Sequence, residues 1–541
     1  MRGNHVFHRL RGPNLRRGAW ARANLAQFFS SLFSPNTART TQYTAVVNED
    51  EEDEAFEMVQ AYGAVPSKHS EPGERDGGEN SALLSDDRDG MAEQVEELPD
   101  GHATILSCIS NLANTIMGTG MLTFPLAMAS AGIIPGIITC IFSGSVAGFG
   151  LYLLTLCATQ TAHRRASFFA VSELTFPKAA VFFDAAIAIK CFGVSISYLI
   201  IVKGLMPKVV RSFYHVIISE SREPPQWTLS GAVWLTMFMI FLIPLAYLRR
   251  IDSLRHSSYV ALFSVAYLVV IVIYNYFWPL PGTPERGEVH LVHFSPTFVS
   301  TFPIQVFAFT CAQNIFPLYN EVKTNSQKRM NIIIGSSIGS ATLVYEIIGL
   351  FGYLTFGSNV GANIIAMYPS TSVFIACGQL AIVVLVLFSY PLQVHPCRNC
   401  LDKVFTRGQK SKPAAVKAHD DEPENEEEDE EPADEDGQAE MTTFKHTMIT
   451  SGIVAGSFTI AYLVDDLQKV LSFVGSTGST TISFILPGLL YWKLTRDDPS
   501  KSRALNWAAL VLAIYGGFIF VFSLGFNIYQ VVHDKMGPGE V

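Results

Sequence analysis

Residues 111–132 read NLANTIMGTGMLTFPLAMASAG, and they belong to an apolar segment, 104–131, that decides the fold. The segment exceeds the ~20 residues that a helix needs to cross a bilayer. Gly118, Gly120 and Pro125 interrupt it, and glycine and proline both weaken a helix interior. In lipid, freed backbone groups persist only where they face protein, a cavity or a ligand. We interpret the segment as a broken membrane helix that carries a binding site; the alternative is that its glycines are packing contacts for a neighbouring helix.

The composition of the whole chain indicates an all-α, polytopic membrane protein with polar tails. Of its 541 residues, 49% are hydrophobic, and the mean hydropathy is +0.27. We predict eleven membrane spans, at 104–131, 133–158, 180–210, 228–248, 257–278, 297–321, 331–355, 371–396, 443–463, 467–492 and 504–532.

The charged loops predict how the chain is oriented. Loops with several Lys and Arg residues alternate with loops that nearly lack them, and 356–370 has no charged residue. Because positive loops stay in the cytosol, we place the N-terminus there and the C-terminus, after an odd number of spans, on the other side. The predicted organisation is a disordered cytosolic region at 1–102, spans one to eight within 103–400, an acidic disordered cytosolic loop at 401–441, spans nine to eleven within 442–532 and a short non-cytosolic tail at 533–541.

The net charge of −10 belongs to one loop rather than to a negatively lined pore. Residues 420–440 contain fourteen Asp or Glu and no Lys or Arg, which is typical of a solvated spacer. Residues 1–30 contain arginines and no acid. They favour a basic arm against the anionic cytosolic leaflet over a transit peptide. We expect the lipid bilayer as a partner and no nucleic acid.

The sequence carries no motif for catalysis or for a structural metal site. Cys397 and Cys400 form a lone CxxC, whereas a structural zinc site needs four ligands. There is no HExxH pair, nucleophile elbow or phosphate-binding glycine loop. We therefore expect a protein that is not an enzyme and that needs no cofactor.

A candidate sorting signal lies in the N-terminal region. Glu79 is followed, after three residues, by Leu83 and Leu84. An acidic residue before two leucines in a flexible cytosolic tail is the pattern that sorting adaptors read toward lysosome-like compartments. The pattern is short, and chance is the alternative explanation.

The sixth span resembles the first in being interrupted. Residues 302–320 read FPIQVFAFTCAQNIFPLYN, in which Thr310, Gln313 and Asn314 break an aromatic run and Pro317 follows. The first and sixth spans each open a group of five. Interrupted helices at corresponding positions of two halves predict an inverted-repeat transporter with its site at mid-membrane.

The chain resembles the amino acid/auxin permease family, on the LeuT-like branch of secondary transporters. The third span, AIAIKCFGVSISYLIIVKGLMP at 186–207, resembles the fungal vacuolar (Avt-type) members in particular. Four further stretches carry the family resemblance: NLANTIMGTGMLTFPLAMASAG at 111–132, FAFTCAQNIFPLYNEVK at 307–323, FGYLTFG at 351–357 and FVGSTGSTTISFILPGLLYWKL at 473–494.

The resemblance implies a LeuT-like 5+5 inverted repeat plus an eleventh helix, and amino-acid transport driven by an ion gradient. In sodium-coupled relatives, an Asn of the first helix and a Ser or Thr of the eighth help to hold sodium. Asn114 matches the first, and Ser389 is the candidate for the second; we add Asn111 to these ion-coupling candidates. Relatives often carry a His after the Cys of span six, where this chain has Ala312, so any role of that His is absent or displaced.

The two breaks offer what an amino-acid zwitterion needs. The N-terminus of a half-helix supplies unpaired N–H groups for a carboxylate, and freed carbonyls can hold an ammonium group. Neither role needs a charged side chain. The predicted substrate-binding residues are Thr115, Met117, Gly118, Thr119 and Gly120 in span one and Phe309, Thr310, Cys311 and Gln313 in span six.

Two charged residues lie deep inside predicted spans, Lys190 in span three and Glu346 in span seven. Each is costly at the bilayer centre unless it is paired or hydrated. One hypothesis is a structural ion pair. The other is proton coupling, because a low-dielectric surrounding favours the neutral form of an amine and lets it release its proton.

We interpret the chain as a secondary active transporter of amino acids, with neutral ones as its substrates, in a vacuolar or lysosomal membrane. The proton is the expected coupling ion, and transport is expected toward the cytosol by alternating access. One alternative is a sodium-coupled plasma-membrane symporter with a sodium site at Asn114 and Ser389. The other is an amino-acid sensor that signals through its tails.

Overall fold

The computed structural model describes residues 101–161, 164–218, 223–249, 257–369, 371–410 and 441–536. Within these ranges the chain is helical, and its only strand-like pairing is an isolated bridge between Ala103 and Val322. The all-α class predicted from the sequence is confirmed. The candidate sorting residues Glu79, Leu83 and Leu84, and the acidic stretch 420–440, lie outside the described residues.

Two sets of helices follow one another along the chain. The first set is α1 (Ile105–Ile116), α2 (Phe124–Ala131), α3 (Ile133–Ala158), α4 (Phe168–Thr175), α5 (Ala180–Ile217), α6 (Gly231–Ala246) and α7 (Ser257–Phe277). The second set is α8 (Phe298–Ala308), α9 (Ile315–Glu321), α10 (Gln327–Phe356), α11 (Ile364–Met367), α12 (Val373–Lys410), α13 (Thr443–Leu463), α14 (Leu467–Val474), α15 (Leu486–Thr495) and α16 (Arg503–Met536).

Helices occupy every predicted span, but not all of them are long enough to cross a bilayer unbroken. Seven helical segments in the described residues are long and apolar enough, and the bent pair α1–α2 makes up to eight. The apolar helix α6 is shorter, with 16 residues. Eleven crossings therefore remain a prediction.

Some predicted boundaries need correction. We predicted that the acidic loop begins at 401, yet α12 continues to Lys410, so 401–410 is helical. Residues 401–410 contain no proline that would end the helix, and the next proline is Pro413. Lys445 of α13 also forms an ion pair with Asp402 of α12. Helix α16 likewise extends to Met536, past the predicted start of the tail.

Local signals set several helix ends around the site. Thr104 caps α1 by accepting a hydrogen bond from the Ser107 N–H at 3.2 Å. Gly132 separates α2 from α3 with a φ of +89°, a conformation that favours glycine. The segment before α8 crosses this corner, where the His293 N–H donates to the Ala131 carbonyl at 2.8 Å. The long helix α5 packs against α12 and contacts the turn at the break of span one.

Candidate functional site

The first span breaks where glycines interrupt it. Helix α1 ends at Ile116, α2 begins at Phe124, and the two axes differ by 47°. A 3-10 turn, Thr119–Thr123, lies between them. The Thr119 and Gly120 N–H groups make no backbone hydrogen bond, as expected for the first residues of a helical turn. The break therefore presents free donors within the protein interior.

The two glycines of this break have different surroundings. A Cβ atom at Gly118 would have 3.9 Å to its nearest neighbours, the Ile116 carbonyl oxygen and the Tyr198 hydroxyl. A Cβ atom at Gly120 would lie 2.6 Å from the Cβ of Ala308. Gly120 is thus a close contact between spans one and six, as the packing alternative required, whereas a Cβ atom at Gly118 would make only ordinary van der Waals contacts.

The sixth span breaks between Ala308, the last residue of α8, and Ile315, the first of α9. The Phe309 and Thr310 carbonyls accept no backbone hydrogen bond. The Cys311 carbonyl accepts one from the Asn314 N–H at 3.0 Å, so it is already partly satisfied. This break presents acceptors, where the first presents donors.

Tyr345 of α10 connects the two breaks. Its hydroxyl lies 2.6 Å from the Ile116 carbonyl oxygen and 2.9 Å from that of Ala308. Each carbonyl ends the first half of a broken span. The Tyr345 ring is fully buried, stacks on Phe124 with centroids 4.4 Å apart and contacts Phe309 edge-on at 5.1 Å. One side chain thus fixes the ends of both half-helices.

A second polar link joins α1 to the segment that follows the break of span six. The Asn314 amide donates to the Thr115 hydroxyl at 2.8 Å, and Thr115 donates to the Asn111 carbonyl at 3.0 Å. The Asn111 side chain is exposed on α1. Asn114 is half-buried and has its own interaction partners. Of the polar residues predicted in span one, Thr115 thus contacts span six.

Helix α5 contributes two residues to the first break. The Thr119 and Ser197 hydroxyls are 3.3 Å apart and buried. The next residue, Tyr198, places its hydroxyl beside Gly118 and against Ser389 of α12. Ser389 also donates to the Leu385 carbonyl within its own helix at 2.8 Å. The structure therefore brings the predicted Ser389 to the break of span one through Tyr198.

The tenth span lines the sixth at its break. The Ser483 hydroxyl donates to the Thr310 hydroxyl at 3.2 Å. Around it, Gly475–Ser479 and Thr481–Ile485 form π-helical turns, which occur frequently at functional sites. The predicted Gln313 is half-buried, and its side-chain oxygen has no hydrogen-bond partner among the described residues.

Lys190 of α5 is buried close to the break of the sixth span. It is 4% exposed, and its ammonium group has one long hydrogen bond, 3.5 Å to the side-chain oxygen of Gln393. The thiols of Cys191 and Cys311 are its electrostatic neighbours. Glu346 is not its partner, because neither oxygen of that carboxylate has a hydrogen-bond partner in the part of the chain that is described. The structure therefore does not contain the ion pair that was one of the two hypotheses.

The end of the site next to the start of α1 is closed. The Ala103 N–H donates to the Glu321 carbonyl at 3.0 Å, and the Lys323 N–H donates back to Ala103 at 3.0 Å. Arg164 contributes a hydrogen bond to the Asn320 carbonyl at 2.6 Å. These contacts hold the start of span one against the end of span six.

A separate groove of about 550 Å³ lies between α3 and α10. Gly144 and Gly148 line it on one side and Gly335 and Gly339 on the other. A stripe of small residues on two neighbouring membrane helices suits close packing in lipid. The groove is not at the breaks.

Sequence reasoning missed three residues that hold the breaks: Ser197, Tyr345 and Ser483. A signal existed for Ser483, since GSTGSTTIS at 475–483 is a polar run inside an apolar span. Tyr345 lies beside the conspicuous Glu346, but its contact with Ile116 joins residues 229 positions apart. Nothing in the local sequence could indicate that contact.

Comparison with known proteins identifies the family. Residues 101–531 match the family described as transmembrane amino acid transporter protein. Vacuolar amino acid transporter 5 of Schizosaccharomyces pombe is 40% identical over 444 residues, which cover 80% of this chain and 96% of that protein. Vacuolar amino acid transporter 6 of Saccharomyces cerevisiae is 34% identical over 456 residues, covering 78% and 98%. MhsT in complex with L-phenylalanine matches with a TM-score of 0.49 and 11% identity, over 79% of this chain and all of that one. The chain belongs to the amino acid/auxin permease family of transmembrane amino acid transporters.

Proposed function

We propose that this chain carries neutral amino acids across a vacuolar membrane toward the cytosol, with a proton as the coupling ion. The observation that carries the proposal is the meeting of two half-helix breaks, one with free donors and one with free acceptors. Family membership supports amino acids as the substrate. The names of the relatives support the vacuole.

The substrate would lie between the breaks with its charged groups on backbone atoms. The Thr119 and Gly120 N–H groups suit its carboxylate. They lie at the start of a helical turn, where the positive end of the helix dipole also attracts an anion. The Phe309 and Thr310 carbonyls suit its ammonium group. The absence of a side chain at Gly118 lets the ligand approach the backbone closely.

Two features favour neutral side chains. Neither TIMGTG at 115–120 nor FTCAQN at 309–314 contains an acid that could pair with a cationic substrate. The surrounding Phe124, Phe309 and Tyr345 form an apolar aromatic group with centroids 4.4 to 6.2 Å apart. An apolar wall beside a polar backbone suits an amino acid whose side chain is uncharged.

Lys190 is one proposed coupling residue. Its single long hydrogen bond stabilises its charge weakly, and burial makes an incompletely paired ammonium costly. A lysine that loses and regains its proton would change the charge close to the break of the sixth span during each transport cycle. Movement of protons from an acidic lumen would then drive amino acids out of the vacuole.

The test is transport by the purified full chain in proteoliposomes, with proton and sodium gradients imposed separately and a panel of amino acids supplied. We expect an acid interior to accelerate efflux of neutral amino acids, and a sodium gradient to have no effect. Acceleration by sodium alone would contradict proton coupling and favour a sodium site at Asn114 and Ser389. Saturable binding without flux under any gradient would favour the sensor.

A further inference from the structure

A second group of buried polar atoms lies apart from the substrate breaks, around Glu346. Both carboxylate oxygens of Glu346 are buried and lack a hydrogen-bond partner among the described residues. The same holds for the side-chain oxygen of Gln305 and for the Ser143 hydroxyl, each 1% exposed. Buried polar groups are normally paired, so several unpaired acceptors at one place need an explanation.

The packing of α3 on α10 places these groups together. The thiol of Cys140 lies beside the Glu346 carboxylate, and one turn further a Cβ at Gly144 would lie 2.9 Å from the Thr342 hydroxyl. Cys140 and Gly144 are four residues apart on α3, and Glu346 and Thr342 are four residues apart on α10. This turn of α3 therefore packs on the turn of α10 that carries Glu346. Ser143 belongs to that turn.

Helix α8 reaches the same group. The Gln305 amide donates to the Thr139 hydroxyl at 3.2 Å, and Thr139 directly precedes Cys140. One N–H of this amide is engaged there, and the side-chain oxygen of Gln305 has no hydrogen-bond partner among the described residues. Three helices thus contribute uncharged polar groups to this part of the protein.

The chemistry of this group favours a protonated carboxyl group, because no cationic side chain of the helices packed on α10 compensates an ionised one. An ionised carboxylate only accepts hydrogen bonds, whereas a carboxylic acid has one O–H to donate. No charged residue occurs on α1, α2, α3, α7 or α8, and among the titratable side chains of the helices packed on α10 only the Cys140 thiol interacts with Glu346. We propose that Glu346 is a proton-binding site of the transporter, with the oxygens of Gln305 and Ser143 as acceptors for its O–H.

This site is positioned to act on both breaks, and the inference rests on the proposed proton-coupled transport. Glu346 directly follows Tyr345, which holds the ends of both half-helices. Gln305 lies three residues before Ala308, one of those ends. A bare carboxylate is costly in this dry surrounding. The arrangement of the breaks in this structure therefore forms with Glu346 protonated, and release of the proton requires a conformation that admits water.

The test compares Glu346→Gln with Glu288→Gln in proteoliposomes made from the full chain. Glutamine keeps the shape of the carboxylic acid and cannot exchange a proton, and Glu288 is an exposed acid with 82% side-chain exposure. We expect E346Q to retain amino-acid exchange at equal pH and to lose acceleration by a pH gradient, while E288Q keeps both. If E346Q responds to the pH gradient as the wild type does, the inference is wrong. If the wild type itself does not respond, the proposed function fails instead.

A measurement on the wild-type protein keeps the inference testable even if E346Q does not fold. Carbodiimides modify protonated carboxyl groups in apolar surroundings, and mass spectrometry locates the modified residue. At about pH 7, where an ordinary glutamate is ionised, we expect labelling of Glu346 and none of Glu288. Absence of label on Glu346 in folded protein would overturn the inference, and so would protection of Glu346 by sodium ions at constant pH.

Discussion

Replacing Tyr345 with phenylalanine removes one oxygen atom at the point where both broken spans are held. The phenylalanine ring can keep the stack on Phe124 and the edge contact with Phe309, so the packing of α10 should survive. What is lost is the hydroxyl that lies 2.6 Å from the Ile116 carbonyl and 2.9 Å from the Ala308 carbonyl. The change therefore isolates the polar link between the half-helices.

The expected magnitude follows from those two carbonyls. The Ile116 carbonyl keeps a hydrogen bond from the Gly118 N–H at 2.7 Å, so the loss falls on the Ala308 carbonyl, and a buried acceptor left without a partner costs about 1–3 kcal/mol. A penalty of that size, applied only to the conformation in which Tyr345 holds the breaks together, corresponds to about 5–150-fold in its population. We expect kcat/KM for amino-acid transport to fall by that factor, with little loss of folded protein.

The assay is initial-rate transport in proteoliposomes, with folded yield measured by size-exclusion chromatography. Tyr353→Phe is the matched control, because Tyr353 is also fully buried on α10 and its hydroxyl accepts from the His290 N–H at 2.9 Å, away from the breaks. Wild-type kcat/KM for Y345F, or an equal loss for Y353F, would refute the assignment of Tyr345 to the breaks.

Three further predictions test other parts of the account. Gly120→Ala should reduce folded yield, since its Cβ would meet another side chain at 2.6 Å, whereas Gly118→Val should leave the yield intact and abolish transport; the reverse order of yields would contradict the packing. Lys190→Met should abolish acceleration by a pH gradient and spare exchange at equal pH, and undiminished pH-driven flux would exclude this lysine from coupling. Leu83→Ala with Leu84→Ala should move the protein from the vacuolar or lysosomal membrane to the cell surface in microscopy, and unchanged targeting would show that the pattern is accidental or redundant.

The breaks could be predicted from sequence because lipid leaves few explanations for polar and helix-weakening residues inside an apolar span. Gly118 and Gly120, and the polar run from Thr310 to Asn314, mark the points where α1 and α8 end. Which of the two glycines forms the close contact between spans could not be predicted, since that depends on the position of Ala308 in another span.

Contacts between residues of different spans could not be predicted from the sequence for the same reason. Lys190 and Glu346 are the charges that stand out in their spans, and their opposite signs suggested a pair. The register of the helices instead brings Lys190 to Gln393 and Glu346 to Cys140. The contacts that hold the breaks join uncharged groups and carbonyls, which look ordinary in a membrane sequence.

The central claim is that an amino acid binds where the two breaks meet. The most direct test is an experimental structure of the full chain with a transported neutral amino acid bound. We predict its carboxylate within hydrogen-bond distance of the Thr119 and Gly120 N–H groups and its ammonium group at the Phe309 and Thr310 carbonyls. A ligand bound elsewhere, for example in the groove between α3 and α10, with both breaks empty would contradict the account.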